Sequence, residues 1–109
     1  MSDLLGEVPD NLSSQALADL VGIVRRGARE WGLATAQRTA DRLLARCRAI
    51  EAGTAVGHQR RDVQPRRPTL FVVEAPWIIA YSPDTRQVFR IVHGARDLPA
   101  LFPPGGGGP

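Results

Sequence analysis

The chain contains no lysine. All 14 of its basic residues are arginines, set against 11 acids, for a net charge of +3 over 109 residues. Arginine keeps its charge and offers a planar fork to carboxylates and phosphates. With so small an excess, non-specific nucleic-acid binding is possible but not strongly indicated. A GC-rich coding sequence is the plainer explanation of the arginine bias. There is one cysteine, Cys47, which excludes an internal disulfide and fits a reducing compartment. No apolar run is long enough to span a bilayer. The opening "MSDLLGEVPD" has neither a basic region nor a long apolar core, so we expect no secretory signal. The expectation is a cytoplasmic protein without membrane contact. His58 and His93 lie far apart and no pair has metal-ligand spacing, so neither a metal nor a cofactor is expected.

What is present reads as one domain over residues 1–102. Residues 1–12 form a weak N-terminal strand interrupted by Gly6 and Pro9. Residues 13–52 form a helical hairpin. Ser13 and Ser14 suit a helix start, because a serine oxygen accepts a free first-turn amide. Leu17, Leu20, Val24, Ala28 and Trp31 then recur at helical spacing, widened by Val21 and Ile23, and Gly32 suits the end. The second helix starts near Thr35, with Ala36, Ala40, Leu43, Leu44, Cys47 and Ile50 as its stripe and Gly53 at its end. A short link implies antiparallel packing. Cys47 on that stripe is a core residue and not a nucleophile.

Residues 53–68 read as a basic loop holding Arg60, Arg61, Arg66 and Arg67. A three-stranded antiparallel sheet occupies 69–93, and 103–109, "PPGGGGP", is a disordered tail. A hairpin centred on Asp84 and Thr85 groups Ile78 and Ala80 with Phe89, Ile91, Phe71 and Val73. That apolar face is expected to pack on the helices. The opposite face carries Leu70, Val72, Glu74, Trp77, Ile79, Tyr81, Val88, Arg90 and Val92, and is also mostly apolar. It needs a cover. Two covers suit it: the returning segment Leu98 to Phe102, or a partner protein anchored on Trp77, Tyr81 and Arg90.

The stretch "RIVHGARDLPALF" ends the strands with a histidine, an arginine and an aspartate together. His93 could act as a general base, but capping the strand end is the preferred reading. Arg96 beside Asp97 can be a local ion pair or, with Arg60, Arg61, Arg66, Arg67 and Arg90, part of a surface that grips phosphates or carboxylates. A solvated charged loop is the plainer reading of Arg60 to Arg67.

The "ALADL" of residues 16–20, Gly57 with "RRDVQP", the "IIAY" of 78–81 and above all the "HGARDL" of 93–98 resemble the RelE/ParE family of type II toxins, on its ParE-like branch. The resemblance implies an α+β toxin fold, a helical hairpin packed on a small twisted, mainly antiparallel sheet. It implies a cognate antitoxin whose flexible segment wraps the toxin. For the ParE-like branch it implies DNA gyrase as the target, inhibited by binding and not by catalysis, with no direct DNA binding by the toxin alone. The nuclease branch cleaves mRNA on the ribosome and is the alternative; a non-toxic member acting only in complex is a third. Arg96 matches one nuclease arginine. The position of a nuclease tyrosine is Phe102, Ile78 stands where another basic residue is expected, and the sheet lysines are missing. Should the chain be a nuclease, Arg96 and His93 are its catalytic candidates. The target-binding set is Arg90, Arg96, Asp97, Phe102, Arg66 and Arg67. The antitoxin-binding set is Leu70, Val72, Trp77, Ile79, Tyr81 and Arg90. Asp97 is expected to orient Arg96 or cap the following turn.

Overall fold

The structure, a computed structural model, describes residues 5–63 and 65–101. Two helices come first: α1, Ser14–Trp31, and α2, Leu33–Ala52. Three strands follow, β1 Leu70–Glu74, β2 Trp77–Tyr81 and β3 Val88–His93, and then a short helix α3, Gly94–Leu101. The sheet is antiparallel in the order β1-β2-β3. This is the expected α+β arrangement, with α3 added.

Ser13 starts α1 by two bonds at once. Its Oγ accepts the Ala16 amide at 3.0 Å and donates to the Phe89 carbonyl at 2.9 Å, so the cap also ties the helix to β3. The buried line of α1 is Ala16, Leu20, Ile23 and Val24. Leu17 and Trp31, expected on that line, are exposed instead. Gly27 faces α2; a Cβ there would stand 3.5 Å from the Cβ of Ala36. Gly32 takes φ +92° between the helices, a conformation that favours glycine. The stripe of α2 is buried as expected, from Ala36 through Ile50.

The sheet corrects two expectations. Around the turn the register is the expected one, with Tyr81 opposite Val88. A bulge then inserts Phe89, so Ile79 pairs with Ile91 and Ile78 with Val92. One residue of slip moves every later side chain to the other face. The two faces are also exchanged. Val72, Ile79, Tyr81, Val88 and Ile91 pack on the helices, joined by half-buried Leu70 and Trp77. Phe71, Ile78, Ala80 and Val92 form a second cluster, covered by Leu98 of α3 and Val63 of the loop. Both faces are apolar, so hydrophobic alternation could not choose between them.

The edges are short. On β3, residue 88 donates its amide to the Asn11 carbonyl at 2.7 Å, and its carbonyl accepts from the Ser13 amide at 2.9 Å. The N-terminal strand is thereby reduced, among the described residues, to one parallel bridge between Leu12 and Val88. On β1, Phe71 exchanges both backbone bonds with His58 at 2.9 Å. The expected disordered tail, 103–109, lies outside the described residues. Among those residues no helix is long and apolar enough to cross a membrane.

Candidate functional site

Helix α3 begins immediately after the last residue of β3, and its first turn builds the site. The Arg96 amide donates to His93 Nδ1, and the His93 amide donates to an Asp97 carboxylate oxygen, both at 3.2 Å. Side chain and backbone thus satisfy each other reciprocally, as in a capping box. The Arg96 guanidinium lies back on Asp97, with Nε 3.1 Å from Oδ1. The His93 ring meets Trp77 edge to face, centroids 5.7 Å apart. The Arg96 hydrogen bonds, aided by the His93 amide, hold the Asp97 carboxyl below its usual pKa against a smaller opposing effect of burial.

Beside this turn, Asp19 of α1 takes the edge of β3. Its Oδ2 accepts Arg90 Nε at 2.8 Å and the Ile91 amide at 2.9 Å, while Oδ1 accepts Arg90 Nη2 at 3.0 Å. Both partners are half-buried. Hydrogen bonding to Asp19 raises the Arg90 pKa more than burial lowers it.

Between α1, β3 and α3 runs a groove of about 400 Å³, whose walls carry Asp19, Arg26, Arg90, His93, Arg96 and Asp97. A second hollow of about 480 Å³ shares Arg26, Trp77, His93 and Arg96 and continues along the helical hairpin to Trp31 and Arg42. The groove therefore unites His93, Arg96, Asp97 and Arg90. Arg66 and Arg67 are not part of it. They line a different cleft, where the Arg67 guanidinium lies over the Phe89 ring, 3.6 Å from its centre. Phe102 falls outside the described residues.

The expected antitoxin-binding set is mostly placed elsewhere. Val72, Ile79 and Tyr81 are buried against the helices, with Leu70 and Trp77 half-buried beside them. They are core residues, which corrects the expectation of an open face. Arg90 is in the groove, engaged with Asp19. The large apolar groups that do reach the surface include Trp31, 72% exposed, and Leu33, 48% exposed, on either side of Gly32 at the hairpin turn.

Sequence reasoning missed Asp19, Arg26, Glu30 and Trp31. The signal was helical spacing: residues 19, 26 and 30 are seven and four apart, so they share one side of α1 beside its buried line. Cys47 carries no reactivity here. Burial pushes its thiol up to about 12, far more than neighbouring Arg48 lowers it. Among the described residues, no group of three or more His, Cys, Asp or Glu side chains could hold a metal ion.

The arrangement is a strand that ends in "HGARD" and turns directly into a helix, on a sheet backed by a helical hairpin. The family model described as the ParE toxin of the type II toxin–antitoxin system, parDE, matches residues 11–98. The chain belongs to this family. It is thus a type II toxin–antitoxin toxin within the RelE/ParE group, and the family implies an antitoxin partner. The match runs from Asn11, next to the Leu12–Val88 bridge, to the Leu98 cover of the sheet, so it takes in both walls of the groove. No individually curated protein matches the chain closely enough to serve as a relative.

Proposed function

We propose that the chain inhibits DNA gyrase by binding it, and that its cognate antitoxin neutralises it by direct contact in the cytoplasm. The observation that carries this reading is the family match over the groove-forming segment, together with the state of the groove's polar groups. His93 Nδ1 and the Asp97 carboxylate are both engaged in holding the first turn of α3. A general base needs a free lone pair within reach of the proton it removes. The site reads as a rigid recognition surface in which Arg96, half-exposed, presents its guanidinium beside Trp77 and Arg26.

The antitoxin's share of the surface is the hairpin turn. Trp31 and Leu33 are the apolar groups there, and a large aromatic beside arginines is a common binding anchor. A flexible segment that orders on binding can follow the hollow from Trp31 towards Arg96.

Controlled expression in a bacterial host tests the reading. Growth should stop with the markers of DNA damage, and co-expression of the antitoxin should restore it. Growth arrest with rapid mRNA cleavage and intact DNA would replace the gyrase reading by the nuclease one.

A further inference from the structure

The arginine-lined cleft before β1 is a second site, separate from the groove. Most guanidiniums in the groove and along α2 have a carboxylate: Arg90 has Asp19, Arg96 has Asp97, and Arg42 and Arg46 share Glu74. The cleft of about 340 Å³ is different. Its charged walls are Arg60, Arg66 and Arg67, with no acid among them. Arg61 is next in the chain and exposed. Residues 59–69 hold four arginines and one acid, Asp62. Asp62 engages Arg60 through two bonds of 3.1 and 2.9 Å. Arg67 is held flat on Phe89, and for Arg61 and Arg66 there is no ion pair among the described residues. Two of the four guanidiniums are thus fixed in place, and the local charge is uncompensated.

We propose that this cleft binds the phosphate backbone of duplex DNA. Phosphate contacts need only positive donors, and arginine supplies them as a planar fork. A protein partner is favoured by a large aromatic or aliphatic anchor, and a single strand would need an open ring on which to stack bases. The cleft has neither: the aromatic ring in its walls, Phe71, is buried, and so is Phe89 beneath Arg67. The inference goes beyond the gyrase reading and does not depend on it, and it departs from the expectation, implied by the family resemblance, that the toxin alone makes no direct DNA contact.

The test is fluorescence anisotropy of a short labelled duplex with the purified full chain and no gyrase, through rising sodium chloride. Three to four phosphate contacts predict a slope of about −3 in log K against log salt. Replacing Arg61 and Arg66 together by glutamine should flatten the slope by about two. The exposed pair Arg29→Gln and Arg38→Gln removes the same charge elsewhere and should leave the slope unchanged, with circular dichroism verifying all folds. No binding at low salt would overturn the proposal. So would equal losses in both double variants, or an acidic peptide of matched charge binding as tightly as the duplex.

Discussion

Asp19 and Arg90, 71 residues apart, meet through two side-chain hydrogen bonds of 2.8 and 3.0 Å. The same carboxylate also accepts the Ile91 amide. One aspartate therefore ties α1 to β3 and lines the groove. Removing it leaves a half-buried guanidinium and an unpaired edge amide. A hydrogen bond to a charged group contributes about 1.5–3 kcal/mol. These three share one carboxylate, do not add and are partly screened by solvent, so Asp19→Ala should cost about 2–4 kcal/mol in all. Urea denaturation of the purified chain measures it. A loss under about 0.5 kcal/mol, the range of an ordinary surface substitution, would show that the pair does not anchor the helix.

Arg96 should behave in the opposite way. Its ion pair with Asp97 is half-exposed on both sides, and exposed pairs contribute at most about 1 kcal/mol. Arg96→Ala is therefore expected to lower growth inhibition at equal expression while leaving the melting transition nearly unchanged. Undiminished arrest of growth would remove Arg96 from the target-binding surface.

The first turn of α3 should be sensitive to acid. The folded-state pKa of Asp97 is depressed, so its contribution is present above the unfolded aspartate value of about 3.9 and is lost as pH falls through the folded value. Protonation releases the His93 amide and loosens Arg96. Asp97→Asn should weaken the same turn at neutral pH and flatten the loss of stability below about pH 4. Thermal melts of both proteins across that range would reveal it; parallel pH curves would contradict it.

Cys47 should be inert in the folded chain. Its thiol is buried within the helix–sheet core and pushed up to about 12. A disulfide reagent at mildly alkaline pH is expected to label it only after denaturant is added. Prompt labelling of the native protein would mean that the core opens locally there.

The sequence made some of this legible and withheld the rest for physical reasons. The α2 stripe from Ala36 to Ile50 faces one way at helical period, and it is buried as read. Strand positions were legible from apolar runs between Pro76 and the Ser82 turn. The faces were not, because Val72 and Phe71 are equally apolar and the bulge at Phe89 leaves no compositional mark. Helix α3 was hidden because it opens with Gly94 and contains Pro99. Its cap depends on His93 and Asp97 reaching each other in space. In the site, His93, Arg96 and Asp97 were legible because they are neighbours in the chain. Asp19 and Arg26 come from the far end of the sequence, and only the packing of α1 on β3 brings them in. Arg66 and Arg67 share the chemistry of Arg96 but not its location.

The proposed action of this ParE-family toxin is inhibition of gyrase by binding. Supercoiling of relaxed plasmid by purified gyrase, with the toxin added alone or with its antitoxin, tests it most directly. Loss of supercoiling with accumulation of cleaved DNA, both reversed by the antitoxin, is the expected result. Unimpaired supercoiling in the presence of folded toxin would contradict it.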